Sequence, residues 1–295
     1  MANLKAIRVR INSVRSTRQI TSAMKMVAAA KLRKAQDKIL RLRPYAGKLN
    51  QILVDLTKSL ADSEDDNIYG RKSDPEKILI VIITSNRGLC GSFNTNVLRE
   101  TRRIIAEDYN EQYRKGNLWF VAIGKKGHDF LRKQKLNILE EANDLVNQLS
   151  FDKCMPLAAR IMESFTSGRF DRVRLIYNQF KNAAVQNLTN EAFLPVEPKQ
   201  QEGKKAEGHT DYIYEPTKED IIKDLIPRSL RIQFYKAILD SFVAEHGARM
   251  TAMHKATDNA TDLIRELTLQ YNKARQAAIT NQILEVVTGA EALKG

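Results

Sequence analysis

The stretch of this 295-residue chain that most resembles a catalytic element is SNRGLCGSFN, Ser85 to Asn94, a glycine-rich turn between a strand-like and a helix-like run. Such a turn can cradle phosphate on backbone N–H groups and on a helix N-terminus. Gly88 and Gly91 lack the G-x-G-x-x-G spacing, and no G-x-x-x-x-G-K-[ST] occurs in the chain, so both read as parts of a tight turn with close helix packing. Cys90 and Cys154 match no metal or redox spacing and read as small buried hydrophobes in a reducing compartment. His128, His209, His246 and His254 form no ligand set with them; His246 and His254 share about one helix face, but no carboxylate pattern accompanies them. No Ser/His/Asp or Cys/His grouping can be assembled locally. These residues predict no catalytic site, no cofactor and no metal.

The elements around them are more informative. From Leu4 the apolar residues follow a heptad. One seam runs Leu4, Ile11, Arg18, Lys25, Leu32, Ile39, Ala46, Leu53, Leu60, and the other Ile7, Val14, Thr21, Ala28, Ala35, Leu42, Leu49, Leu56. This predicts one long coiled-coil helix over 1–60, kinked but not ended at Pro44. The same segment holds fourteen Lys and Arg against Asp37 and Asp55, so it carries nearly all of the net charge of +13. So many cations on one segment imply an acidic partner: nucleic acid, anionic lipid or an acidic protein surface.

After a polar loop from Ala61 to Pro75, the β-branched run Lys77 to Thr84 reads as a buried strand. Asn117 to Gly124 and Arg172 to Phe180 read as two more strands. Helices are expected over Asn94 to Tyr113, Lys125 to Lys135 and Lys153 to Ser167, giving an open, Rossmann-like α/β domain over 75–215. Glu197 to Thr210 reads as a loop. A C-terminal helical region over 216–295 follows, its last long helix expected to open at Pro227. Ala256, Ala260, Leu263, Leu267, Ala274, Ala277 and Leu284 form a narrow seam there, and its natural partner is the N-terminal helix at Ala28 and Ala35. The expected architecture is α/β: a long antiparallel coiled coil of N- and C-terminal helices plus a central open α/β domain. No run reaches the roughly 18 to 20 apolar residues of a membrane span, and the first residues lack a signal-peptide core, so the chain is expected to stay where it is made.

Two segments are not explained by packing alone. In Arg18 to Gln36 the seam is breached at Arg18, Thr21 and Lys25, which suggests a face turned toward something else. In Tyr271 to Leu293, Arg275, Gln276 and Thr280 stand beside an apolar stripe. Both resemble terminal signatures of the ATP synthase gamma subunit, of bacterial type. ITSAMKMVAAAKLRKAQ is similar to the family's N-terminal motif, and ARMTAMHKATDNA with YNKARQAAIT to its C-terminal ones. SNRGLCGSFN and DYIYEP also match, so the resemblance runs through the whole chain in order. The turn ends in Gly-Ser-Phe-Asn where the family more often has a further Gly and Leu, and the regulatory cysteine pair of the plant-plastid form is absent.

The resemblance implies a non-catalytic rotor shaft of a proton-driven ATP synthase, one copy turning inside a hexamer of alpha and beta subunits. The base would bind epsilon and rest on the membrane ring of c subunits. Arg18, Met24, Lys25, Arg275, Gln276 and Thr280 would contact the hexamer, and Tyr212 and Glu215 the ring. The chain would sit peripherally on the cytoplasmic side of a bacterial inner membrane, touching the membrane only through the complex and binding no cofactor or nucleic acid. The alternatives are a basic coiled-coil protein that binds nucleic acid and an α/β enzyme with helical extensions. Against the first, Tyr45 is the only aromatic residue in the basic segment.

Overall fold

The computed structural model describes residues 4–59, 68–71, 74–147, 149–196 and 218–292. They form two compact units, Met1–Ala29 with Arg249–Gly295 and Ala30–Ala248. Helices α1 (Leu4–Ser59) and α6 (Lys218–Ala292) contribute to both. Tyr212, Glu215 and the segment from Glu197 to Thr210 lie outside the described residues.

The larger unit is built on a five-stranded sheet: β1 (Ile78–Ile83), β2 (Leu118–Ile123), β3 (Asn137–Glu141), β4 (Arg172–Phe180) and β5 (Gln186–Leu194). Their order is β3-β2-β1-β4-β5. β1 pairs in parallel with β2 and β4, β2 in parallel with β3, and β4 with β5 as an antiparallel hairpin. All six residues of β1 are buried, as a central strand covered on both faces requires. Ile78, Ile80 and Ile82 pack against α2 (Phe93–Glu107) through Val97 and Ile104. The same cluster takes Phe130 and Leu131 from α4 (Lys125–Lys133). A short α3 (Asn110–Arg114) and α5 (Phe151–Thr166) complete the unit. Ser150 caps α5 by accepting a hydrogen bond from the Lys153 N–H at 3.4 Å.

Three expectations need correction. The sheet has two strands beyond the expected three, β3 and β5, because NILEE and QNLTNEAFL are half-exposed edges and lack a buried β-branched run. The helix expected over Asn94 to Tyr113 is interrupted at Asp108 and Tyr109, giving α2 and α3. Pro227 lies inside α6 rather than at its start. It deprives one carbonyl of its N–H partner, but the flanking Ile226, Leu230 and Phe234 are buried, and that burial carries the helix through.

Within this unit one polar contact joins three elements. The Asp240 side chain of α6 has no exposed surface, and Arg43 of α1 reaches it at 3.1 Å. The same Arg43 nitrogen donates to the Phe180 carbonyl at the end of β4, at 3.0 Å. Burial pushes the Asp240 carboxyl above the usual carboxylate range, while the hydrogen bond and charge of Arg43 pull it back. A carboxyl raised in this way favours folding fully below its unfolded pKa and loses that contribution as pH rises through the folded value. Arg43→Ala removes the compensating cation, so its cost should grow with pH. Chemical denaturation is expected to show a loss of about 2–3 kcal/mol near neutrality, allowing for the part-exposed Arg43, and a smaller loss in mild acid. Adding Asp240→Asn should recover much of it; a cost independent of pH would refute this account.

Candidate functional site

The glycine-rich turn is closed by its own side chains. The Ser85 N–H donates to Asn94 Oδ1 at 3.0 Å, Asn94 Nδ2 to Ser85 Oγ at 2.8 Å, and Ser85 Oγ to the Arg87 carbonyl at 2.6 Å. Asn86 accepts from the Lys125 N–H at 2.9 Å and donates to the Asn143 carbonyl at 2.8 Å. Phe93, buried at the start of α2, accepts from Asn178 Nδ2 at 2.9 Å through its carbonyl. These bonds brace the turn at the carboxyl end of β1, beside the place where an open sheet of this order would hold a ligand, while Leu89, Gly91 and Ser92 stay exposed. Gly91 does take a left-handed turn conformation, φ +60°, but close helix packing belongs to other glycines. A Cβ on Gly124 would meet the Thr84 carbonyl oxygen at 2.2 Å, and one on Gly127 would meet Ile82 and Thr84 at 2.9 Å. These contacts seat α4 against β1.

Cys90 and Cys154 are buried free thiols, and burial pushes Cys154 up to about 12, far from a reactive thiolate. Among the described residues no group of His, Cys, Asp and Glu could hold a metal ion.

In the smaller unit α1 and α6 run antiparallel. The hydroxyls of Thr21 and Thr257 lie 2.9 Å apart, and Lys25 Nζ lies 3.1 Å from His254 Nδ1. This register sets Ile11 level with Leu267, and both are buried, as are Ala28 and Ala260. Each threonine hydroxyl also reaches a carbonyl of its own helix, Arg18 for Thr21 and Met253 for Thr257. The three breaches therefore separate. Arg18 is exposed, Thr21 is buried within the helix pair, and half-buried Lys25 is engaged by His254 beside Asp258. Thr21 does not turn away as expected, because a threonine pair satisfies itself across a narrow seam. Met24 is half-buried.

The same register sets Leu4 level with Ala274, so beyond that point α6 has no counterpart among the described residues of α1. From Arg275 to Ala292 every residue is exposed except half-buried Ala278. The seam expected to extend to Ala277 and Leu284 therefore stops at Ala274. Arg275, Gln276 and Thr280 are exposed here, Thr280 donating to the Gln276 carbonyl at 3.0 Å. The apolar stripe beside them, whose members the sequence reading left unnamed, is Ile279, Ile283, Val286 and Val287, at i, i+4, i+7 and i+8, and it is open to solvent. Val286 is 71% exposed. Their spacing was legible, but an apolar helix stripe ordinarily means packing within the chain. An uncovered stripe of this kind marks a surface made for another molecule.

Residues 3–293 match the family model described as ATP synthase. The chain is 53% identical to the ATP synthase gamma chain of Flavobacterium psychrophilum over the full length of both, and 48% identical to that of Cytophaga hutchinsonii over 99% of both. Its fold is similar to a chain from the central stalk and c-ring of Tetrahymena thermophila mitochondrial ATP synthase, at TM-score 0.60 and 25% identity, covering 80% of this chain and 99% of that one. It also resembles a chain of the Euglena gracilis mitochondrial ATP synthase, at TM-score 0.67 and 23% identity, covering 98% and 94%. These relatives lend no support to the nucleic-acid alternative. The chain belongs to the ATP synthase gamma-chain family.

The helix pair makes two opposite demands on its seam. Replacing Thr21 and Thr257 together by Val removes both hydroxyls while keeping the shape, and should change stability by no more than about 1 kcal/mol. Ala28→Leu forces volume into a position 2% exposed and should cost about 1–3 kcal/mol. Thermal unfolding of the full chain followed by circular dichroism would check both; a larger loss from the double Val variant than from Ala28→Leu would reverse the assignment.

Proposed function

We propose that the chain is the rotor shaft of a proton-driven ATP synthase, carrying torque between a ring of c subunits and a catalytic hexamer of alpha and beta subunits. The observation that carries this reading is the end of α6, where eighteen residues from Arg275 to Ala292 form helix with an apolar stripe and almost no cover. A helix of that length is marginal in water by itself, so an enclosing partner suits it. In this reading Arg275, Gln276 and Thr280 touch the catch region of beta, and Arg18, Met24 and Lys25 its acidic lever loop. Arg18 is the freer of the two cations, since Lys25 is engaged by His254. Tyr212 and Glu215 face the polar loops of the c ring, and epsilon binds the base.

The shaft itself catalyses nothing. Among the described residues no helix is long and apolar enough to cross a membrane. A peripheral place on the cytoplasmic face of the inner membrane, reached through the c ring, fits that surface.

Adding purified chain to an isolated alpha–beta hexamer tests the reading: one chain should co-elute per hexamer and change its ATPase rate. Ile283→Ser with Val286→Ser should weaken co-elution while leaving the isolated chain's stability within about 0.5 kcal/mol, because both side chains are exposed. In the assembled enzyme, Arg18→Gln with Lys25→Gln should reduce ATP-driven proton pumping more than chain stability. Failure to co-elute would overturn the shaft reading; unchanged pumping would overturn only the lever-loop contact.

A further inference from the structure

The four parallel strands of the larger unit begin level with one another. Ile78 pairs with Leu118 and with Arg172, and Trp119 pairs with Asn137. Their starts form one rim, about 14 Å across at the usual strand spacing. Every helix-to-strand connection opens on that rim, because parallel strands all return to the same end. Each connection brings cations to it. Lys77 precedes β1, Arg114 and Lys115 precede β2, Lys135 precedes β3, and Arg169 precedes β4. All five are exposed, and none joins an ion pair among the described residues. The exposed carboxylates here are fewer: Asp74 and Glu76 before β1, and Glu111 in α3. Asp171 is taken up by Arg71, at 3.4 Å, and by the Lys77 N–H, at 2.8 Å.

A cation at the end of a helix offsets its dipole, which accounts for Arg114 and Lys115 at the end of α3. Lys135 and Arg169 lie past their helices and need another reason. Lys135 takes φ +55°, where the neighbouring connections place Gly116 and Gly168. Glycine would sit there without strain, so the turn itself does not call for a lysine. Arg169 is held over Trp119, 5.9 Å from the ring centroid, and over Phe170, at 5.6 Å. Stacking of this kind fixes a guanidinium in place. Tyr113, next to Arg114 in the chain, is 45% exposed. Cations spread over four strands meet an extended anionic surface together, whereas one small anion engages one or two of them. An exposed tyrosine suits the headgroup level of such a surface. We infer that this rim is a docking surface for the anionic headgroups of a lipid bilayer. It adds a direct lipid contact to the ring contact proposed above and does not depend on the shaft reading.

Trp119 is the single tryptophan of the chain, so its emission reports on this rim alone. The full-length chain is mixed with vesicles of phosphatidylglycerol and phosphatidylcholine in which some headgroups carry a spin label. Trp119 emission should be quenched, and the quenching should fall away with added salt. Vesicles of phosphatidylcholine alone should not quench it. Lys135→Gly relieves the turn, so the variant should unfold at no lower temperature. Its vesicle affinity should nevertheless fall about fivefold, the effect of one charge near an anionic surface. Adding Arg114→Gln and Lys115→Gln should bring the loss to at least about fiftyfold. Lys31→Gln, Lys34→Gln and Lys38→Gln of α1 together should change affinity less than about threefold. Co-sedimentation without quenching, or equal loss in both triple variants, would overturn the inference and leave lipid binding by another or a generally basic surface. Inorganic phosphate that displaces the chain better than chloride of equal ionic strength would overturn it in favour of a small-anion site. Tighter binding of a DNA duplex, lost in the same rim variant, would overturn it in favour of nucleic acid.

Discussion

A carboxylate with no exposed surface sits on α6 at Asp240, and α1 supplies the cation that makes it tolerable. The pair is not a source of much net stability, because desolvating Asp240 opposes the attraction of Arg43. Its consequence is positional. Arg43 also donates to the end of β4 at Phe180, so one guanidinium locates α1, α6 and the sheet against each other in the larger unit. Apolar surfaces alone would tolerate sliding by a helical turn, since buried Leu32, Ala35 and Ile39 recur at helical spacings of three and four. A buried charge with one suitable partner does not. The close approach of α6 at Gly247, where a Cβ would lie 3.3 Å from Ala183, adds a steric limit to the same placement.

The smaller unit solves the same problem with gentler chemistry. Thr21 with Thr257 and Lys25 with His254 interrupt a seam that is otherwise alanine and aliphatic. The cross-helix contacts form only in this register, while each hydroxyl also keeps a carbonyl of its own helix, so a displaced register would lose the pairing without stranding a hydroxyl. Small side chains at Ala28 and Ala260 favour close approach, and the polar pairs choose which approach is taken. Polar breaches that look like interaction surfaces in sequence are here partly internal to the pair.

What could be read from the sequence follows from how local each signal is. β1, β2 and β4 were legible because burial on both faces demands unbroken β-branched runs, and ILIVII shows one. β3 and β5 were not, because an edge strand is defined by its neighbour more than by its own composition. Pro227 misled for a related reason: tertiary burial at Ile226 and Leu230 overrides a local helix-start signal. The long terminal helices and their small-residue seam were evident from periodicity alone. Where that seam ends was not, because the end is fixed by the register of Thr21 on Thr257, a contact between residues more than two hundred positions apart. Arg18 stood out as a breach of the seam, and Arg275, Gln276 and Thr280 as polar residues beside an apolar stripe; the structure finds all four exposed.

The uncovered end of α6 also bears on how a shaft could work. Releasing a product bound at nanomolar affinity costs about 12 kcal/mol, while one charge crossing 100 mV supplies about 2.3 kcal/mol. Several charge movements must therefore be accumulated before one product is released. A shaft can deliver such a sum only by contacting each conformation of its surroundings differently, since a contact equal in all states shifts none of them. A one-sided stripe of Ile279, Ile283, Val286 and Val287, with Arg275, Gln276 and Thr280 also on the exposed tail, makes the helix end chemically unequal around its axis. On the proposed reading that inequality is the functional property. It explains why the tail is apolar on one side without being packed in its own chain, and why torque would depend on the stripe as a whole more than on any single side chain.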